Sequence, residues 1–325
     1  MKIFVAGASG ALGRQLVPLL ADAGHEVVGT TTSPQKLETL RALGAQPVVL
    51  DVLDAEAVGR ASSEAEPEVV HEATALSGIG GNFRKIDETF AQTNRLRTEG
   101  TDNLLAAALA VGARKLVAQS YAGWTFAREG AAVKDEDAAL DSAPARNAKE
   151  TMAAIRYLEE RVVAAKELDG IVLRYGGFYG PGTSFAEDGE SLEAIRKRAF
   201  PIVGGGGGMA SFIHIEDAAR ATFAAIQRGR RGIYNNRRRR AGAAVGMASV
   251  CRERRRSEAA PSYALLAGQA LRRRDVGDDD GRGSRRVERE GQARAGLAAA
   301  LSELARRLRQ RAEERGVKPR SPLPL

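Results

Sequence analysis

The chain has 325 residues and 43% of them are hydrophobic, which is enough to bury a core and excludes a chain that is disordered throughout. No stretch reaches the roughly 20 uninterrupted apolar residues of a membrane helix, and the apolar start is too short for a signal peptide, so we expect a cytoplasmic protein without a membrane partner. One cysteine and three scattered histidines exclude a Cys/His metal centre.

The net charge of +8 is concentrated in the last part of the chain. Residues 237–325 hold 23 of the 49 basic and 11 of the 41 acidic residues, a net charge of +12, which leaves −4 for residues 1–236. The same segment lacks Phe, Trp, Ile, Thr, Asn and His and contains runs such as Arg237-Arg238-Arg239-Arg240. We therefore divide the chain near residue 236 into a mildly acidic body and a basic, low-complexity tail.

Two interpretations of this tail remain open. Arginine clusters without interleaved aromatic residues suit salt-sensitive contacts with nucleic-acid phosphates, although nucleic acid is the partner that we favour least. A reading frame shifted by one base explains the composition more simply, because GC-rich codons read out of frame over-produce Arg, Ala and Gly. A tail that was never selected to bury a core is expected to be largely disordered, with one accidental helix near residues 296–316.

Strand and helix patterns alternate through the body of the chain. We predict buried strands over residues 2–6, 26–29, 47–50, 69–73, 115–119 and 171–175. We predict helices over residues 11–23, 98–111 and 149–166. This alternation is typical of a parallel sheet with helices on both faces, so the predicted fold is a Rossmann-type doubly wound α/β domain, followed by the atypical Arg-rich tail.

The first predicted turn carries three evenly spaced glycines in the run GASGALG, which begins where the N-terminal strand ends and leads into a helix. In such a turn Gly7 permits the tight bend, Gly10 lets the backbone approach a diphosphate, and Gly13 lets the helix pack close to the strand. We therefore predict a dinucleotide site whose contacts at this turn are Gly7, Ser9, Gly10, Ala11, Leu12 and Gly13.

The end of the second strand bears on which nicotinamide cofactor binds. An acidic side chain there binds the ribose 2′-hydroxyl of NAD, whereas a basic one accommodates the 2′-phosphate of NADP. This chain has no acid at that point but has Thr31 and Thr32, followed by Lys36. We predict NADP as the cofactor and keep NAD as the alternative, because these residues are also ordinary turn and surface residues.

Together with the glycine motif, later segments resemble landmarks of the NAD-dependent epimerase/dehydratase family, one of the extended and atypical short-chain dehydrogenase/reductases. The resemblance covers residues 1–236 and includes an LRYGGFYGPG run at 173–182 and an SFIHIEDAA run at 211–219. The resemblance implies an adenine-side contact at Asp51 and Val52. It also implies small residues beneath the cofactor, which are Ala73, Thr74 and Ala75, and an asparagine on the central helix, which is Asn94.

One departure from the family concerns proton transfer. Family members use a tyrosine, made ready to lose its proton by a lysine four residues later, but no YxxxK sequence occurs in this chain. When the helix over 149–166 is aligned by Glu160, Met152 stands at the tyrosine position and Arg156 at the lysine position. We therefore predict Ser120 and Tyr121 as catalytic hydroxyls and Arg156 as the retained positive charge; the alternative is that Tyr121 only walls the pocket.

The resemblance leads to two functional hypotheses and the basic tail to a third, given in order of preference. The first is an NAD(P)-dependent oxidoreductase or epimerase that acts on a small carbonyl or sugar-nucleotide substrate. A homodimer is one oligomeric state that the sequence leaves open. The second is a catalytically silent protein that binds NADP as a structural or sensing ligand, which the missing YxxxK favours. The third is nucleic-acid binding through the tail.

Overall fold

The computed structural model of the protein describes residues 1–63, 68–75, 85–131, 133–197 and 211–236. All of these residues lie in one of the two structural units into which the chain divides. The predictions for the Arg-rich tail, including its disorder and the helix near residues 296–316, fall outside these ranges.

The described residues form nine strands: β1 Lys2–Ala6, β2 Glu26–Thr31, β3 Ala45–Val49, β4 Glu68–His71, β5 Lys115–Tyr121, β6 Asp169–Tyr175, β7 Gly177–Tyr179, β8 Phe212–His214 and β9 Gly232–Asn236. Seven of them build one parallel sheet in the order β3-β2-β1-β4-β5-β6-β9, and β7 pairs with β8 in a separate parallel ribbon. The predicted doubly wound α/β fold is therefore confirmed. The strands β7, β8 and β9 were not among the predicted elements.

The same residues contain eight α-helices: α1 Gly13–Asp22, α2 Leu37–Ala42, α3 Ala55–Ser63, α4 Ile86–Arg95, α5 Thr101–Ala110, α6 Lys149–Ala164, α7 Glu190–Arg196 and α8 Ile215–Arg228. A π-helical turn, Leu96–Gly100, joins α4 to α5. Within the described ranges, none of these helices has the length and apolar character to cross a membrane.

Two apolar layers hold the helices against opposite faces of the sheet. Neighbouring residues of a strand point to opposite faces, so Ile3 and Val5 of β1 pack with α1 and α8, whereas Phe4 and Ala6 pack with α5 and α6. Each side chain of this kind that becomes fully buried contributes about 1.5–3 kcal/mol. The near-continuous apolar runs of these strands follow from burial on both faces.

The order of the strands opens a crevice at the carboxyl edge of the sheet. From β1 the chain proceeds outward to β2 and β3, and it then crosses back to place β4 on the other side of β1. Ala6 at the end of β1 lies beside His71 at the end of β4, so the turns that follow these two strands face each other. Ligands of doubly wound sheets bind at such a point of reversal.

Candidate functional site

A groove of about 990 Å³ runs along the carboxyl edge of the sheet. The turns that follow β1, β2, β3 and β4 contribute to it, together with the end of β5 and parts of α4 and α6. Three predicted site residues, Asn94, Ser120 and Arg156, do not line the groove. The predicted residues that do line it are Gly7, Ser9, Gly10, Ala11, Leu12, Gly13, Thr31, Thr32, Lys36, Asp51, Val52, Ala73, Thr74, Ala75 and Tyr121.

The glycine turn after β1 leaves no room for a side chain at Gly7 or at Gly13. Gly7 adopts a φ of +85°, and a Cβ there would lie 2.7 Å from the carbonyl oxygen of Glu72. A Cβ on Gly13 would overlap the backbone of Ala8, whereas one on Gly10 would meet only the Gly7 oxygen, at 3.1 Å. Helix α1 follows without an acidic residue in its first turn and without a side-chain cap. Its positive N-terminal end therefore fits the diphosphate of a dinucleotide.

Hydroxyl groups at the end of β2 support the same turn. The Ser9 hydroxyl donates to Thr31 Oγ1 at 2.9 Å, so the glycine turn and the end of β2 are held together. Thr32 and Lys36 are exposed beside this bond, and Lys36 belongs to a short 3-10 turn, Pro34–Lys36. The groove therefore has an exposed lysine at its β2 end, where a nicotinamide cofactor carries its adenine ribose.

The end of β3 forms the next part of the groove wall. Asp51 uses its carboxylate to accept a bond from the backbone N–H of Leu53 at 3.0 Å, which shapes the turn. Asn103 on α5 donates to the carbonyl oxygen of Val52 at 2.9 Å. The groove-lining backbone at Asp51 and Val52 is thereby held in place by two side-chain hydrogen bonds.

A buried acid, Glu72, follows β4 and was not singled out in the sequence. It is 5% exposed, and neither carboxyl oxygen has a hydrogen-bond partner among the described residues. Burial raises the pKa of Glu72 well above its usual value, which favours the neutral carboxylic acid. Nearby, the Tyr175 hydroxyl shares a 2.5 Å hydrogen bond with Thr222, and burial raises the pKa of Tyr175 as well. A neutral polar cluster therefore lies beside the groove at this point.

Helix α6 presents Thr151 and Ile155 to the groove, one helical turn apart. Met152 is fully buried in the core, and the guanidinium of Arg156 donates to the carbonyl oxygen of Asp141 away from the groove. Thr151 and Ile155 thus stand in the groove wall one residue before the aligned Met152 and Arg156, and Arg156 does not line the groove. The reason is the helical period, which places a side chain next to the predicted one on a different face.

Ser120, predicted as a catalytic hydroxyl, does not line the groove. Its hydroxyl donates to Glu159 Oε1 at 2.6 Å, and the same carboxylate accepts two bonds from Arg174, at 2.9 and 2.7 Å. The side chains of this ion pair are 3% and 6% exposed, and the Arg174 guanidinium lies 5.4 Å from the centre of the Phe126 ring. Ser120 has a single hydroxyl hydrogen, and it is used to join β5 to α6.

Tyr121, the next residue on β5, points to the groove because successive strand residues face opposite sides. Its ring packs edge-on against Trp124, with the ring centres 6.2 Å apart. The hydroxyl occupies the space beside Gly123, where a Cβ would overlap it. Burial raises the pKa of Tyr121 and the positive charge of Arg97 opposes that shift, so Tyr121 is a neutral hydroxyl donor.

Arg97, in the π-helical turn after α4, is a groove-lining cation that the sequence analysis missed. It is 8% exposed, and its guanidinium lies 3.5 Å from Asn94 Oδ1. The Asn94 amide donates to Thr151 Oγ1 at 3.1 Å, and the Thr151 hydroxyl donates to Asp87 at 2.8 Å. Asn94 therefore positions Arg97 and Thr151 and does not line the groove. The spacing of three residues from Asn94 to Arg97 was the available signal.

Several apolar and aromatic side chains line the part of the groove near Tyr121. Phe178 packs against Tyr175 with ring centres 5.3 Å apart, and Trp124 leaves 38% of its surface exposed. This lining suits a flat, apolar substrate body. Its members are Ile86, Phe90, Trp124, Ile155, Phe178 and Phe185.

Comparison with known proteins matches the body of the chain. The model of the NAD dependent epimerase/dehydratase family matches residues 3–236. The 3-diazoavenalumate denitrifying reductase of a Streptomyces species is 46% identical over 230 residues, which are 70% of this chain and 72% of that protein. The 2-alkyl-3-oxoalkanoate reductase of Stenotrophomonas maltophilia is 29% identical over 231 residues, 70% of this chain and 66% of that protein.

Solved structures show the same fold. The UDP-glucose 4-epimerase of Thermus thermophilus, in complex with NAD, has a TM-score of 0.60 and 22% identity, and the match covers 77% of this chain and 83% of that one. The family match supports a nicotinamide cofactor and leaves the choice between NAD and NADP undetermined.

Proposed function

The chain belongs to the NAD-dependent epimerase/dehydratase family, and on that premise we propose that it is an NADPH-dependent reductase whose substrate accepts a hydride without a proton from the protein. Membership, with reductases among the relatives, supports the first sequence hypothesis, an oxidoreductase or epimerase. It does not favour a silent nucleotide sensor or a nucleic-acid-binding protein.

The observation that carries the proposal is the state of the hydroxyl groups near α6. Thr151, which occupies the groove wall one turn before Ile155, gives its hydroxyl hydrogen to Asp87. Ser120 gives its hydrogen to Glu159. Neither hydroxyl can protonate a substrate while these bonds persist, and Ile155 carries no charge that would activate a neighbouring hydroxyl.

Substrates differ in their need for a proton. Bound NADPH supplies a hydride. An oxo group that gains a hydride also needs a proton on its oxygen, whereas an arenediazonium carbon that gains a hydride forms a C–H bond and releases dinitrogen with the C–N electron pair. The name of the Streptomyces relative states both a diazo substrate and the loss of nitrogen. We therefore assign an aryl diazo or diazonium compound as the substrate class.

The cofactor preference rests on the end of β2. Lys36 and Thr32 are exposed at the groove there, and the end of β2 carries no carboxylate for a ribose 2′-hydroxyl. We expect Lys36→Ala to weaken NADPH binding roughly five- to tenfold and to spare NADH. Fluorescence titration measures both constants, with Lys2→Ala at the opposite edge of the sheet as the control. Tighter binding of NADH by the wild-type protein would contradict the preference.

A second candidate function is reduction of a 3-oxo acid, as named for the Stenotrophomonas relative. It is favoured by Tyr121, a neutral tyrosine whose side chain lines the groove. The two functions respond differently to Tyr121→Phe. Oxo reduction should lose roughly 100-fold or more, because a general acid contributes about 10²–10⁴, whereas diazonium reduction should keep its kcat/KM within about threefold.

The deciding experiment follows the transferred hydrogen. The full chain is incubated with a benzenediazonium carboxylate and with NADPH deuterated at C4, and the benzoate formed is analysed by mass spectrometry. One deuterium from the labelled cofactor, and none from D₂O with unlabelled NADPH, is the expected result. Gly10→Val, which blocks the diphosphate turn, controls for reaction in free solution. An equal rate with that variant, or deuterium from the solvent, would refute the proposal.

A further inference from the structure

Arg97 is a charged side chain that the proposed chemistry does not use. It lies in the π-helical turn between α4 and α5, is 8% exposed and lines the groove. Helical turns of this kind occur often at functional sites. Its one side-chain hydrogen bond within the described residues is the contact with Asn94 Oδ1, at 3.5 Å. Most of the five donors of the guanidinium are therefore available to a ligand.

The groups around Arg97 do not neutralise it. The charge of Glu159 acts on Arg97, but that carboxylate already accepts two bonds from Arg174 and one from Ser120. His71 uses Nε2 to donate to a backbone carbonyl oxygen, and burial lowers the pKa of His71 to about 4, so it is neutral. Tyr121 is neutral as well. Among the described residues, Arg97 thus carries a positive charge that no acidic side chain pairs with.

A buried and unpaired cation destabilises a folded protein by several kcal/mol. Burial lowers the pKa of Arg97 to about 10, which still leaves it charged at neutral pH. Such a group is expected where an anion completes it. The diphosphate of the cofactor has its own turn at the N-terminus of α1, whereas Arg97 contacts Asn94, which donates to Thr151 of α6. The charge of Arg97 also acts on Tyr121 of β5, so we place Arg97 at the β5 and α6 end of the groove.

We infer that Arg97 binds a carboxylate of the substrate, so that the groove selects small aromatic acids. This inference rests on the proposed reductase function and adds the group by which the substrate is held. The planar guanidinium can pair with both carboxylate oxygens at once, which fixes orientation as well as affinity. A carboxylate at this position places the rest of the substrate among the aromatic side chains beside Tyr121 and Trp124.

The test compares a charged probe with its neutral analogue. Calorimetry with the NADP⁺-saturated full chain measures the binding of cinnamate and of cinnamamide, which have similar shapes. We expect the wild-type protein to bind cinnamate roughly 10- to 100-fold more tightly than cinnamamide. Equal binding of the two probes, or no binding of cinnamate at millimolar concentration, would overturn the inference without any variant.

Variants then assign the discrimination to Arg97. Arg97→Met should abolish the preference for cinnamate and leave the Kd for NADPH within about twofold, and Arg97→Lys should retain part of the preference. Arg161→Met, which removes an exposed arginine paired with Asp102, is the matched control. If Arg97→Met weakens NADPH binding instead, the cation serves the cofactor and the inference fails. Probe binding is independent of turnover, so failure of diazonium reduction leaves this result separate.

Discussion

Replacing Ser120 by alanine distinguishes a structural serine from a catalytic one. The hydroxyl donates a buried 2.6 Å bond to the Glu159 carboxylate. Losing a hydrogen bond to a charged group costs about 1.5–3 kcal/mol. For a domain of this size 1 kcal/mol corresponds to a Tm change of about 2–4 °C, so Ser120→Ala should lower the Tm by roughly 3–12 °C.

Ser62→Ala is the matched control for this experiment. Ser62 is also fully buried, but its hydroxyl has no partner among the described residues, so the same substitution should leave the free energy of unfolding unchanged or raise it. Urea unfolding and differential scanning calorimetry measure both variants, and kcat/KM is taken per folded molecule. We expect Ser120→Ala to retain kcat/KM within about twofold. Unchanged stability with a loss of more than about tenfold in kcat/KM would show that Ser120 contacts the reacting groups.

Two further predictions follow from the same structure and one from the composition of the tail. Burial raises the pKa of Glu72, so the contribution of Glu72 to stability is greatest at low pH, where the side chain is neutral. Above the unfolded pKa of about 4.3, the free energy of unfolding should fall by up to about 1.4 kcal/mol per pH unit until the folded pKa is passed, and urea unfolding of Glu72→Gln should lack this slope. If the second candidate function holds, Gly123→Ala should displace the Tyr121 hydroxyl and lower kcat/KM for a 3-oxo acid, whereas Gly59→Ala, with open space around its Cβ, should not. Equal kcat/KM values for the two variants of a protein that reduces the acid would contradict this placement of the hydroxyl. If the tail is frameshifted, the gene should use CGA at codons 238 and 239, and an early stop in the shifted frame would exclude that origin.

The cofactor half of the site was accessible from the sequence because its signals are local. Three glycines at fixed spacing between a strand and a helix determine a backbone conformation, and no distant residue is needed to recognise it. The strand ends predicted from apolar runs at residues 29, 50 and 73 lie within two residues of the observed ends at Thr31, Val49 and His71. The parallel order brings these ends to one edge of the sheet. The structure places all of these segments in one groove.

The part of the groove near α6 and β5 depends on the direction in which each side chain points, and the sequence pattern does not determine that direction. One residue along a helix turns a side chain by about 100°, and this exchanged Arg156 for Ile155 in the groove wall. One residue along β5 reverses the face, which separated Tyr121 from Ser120. The role of Arg97 depends on residues that are distant in the sequence, because Glu159 of α6 is paired with Arg174 of β6 and so does not pair with Arg97. Periodicity and composition therefore located the groove, whereas the packing of α6 against β5 and β6 selected the side chains that enter it, because burial and charge compensation are properties of the assembled fold.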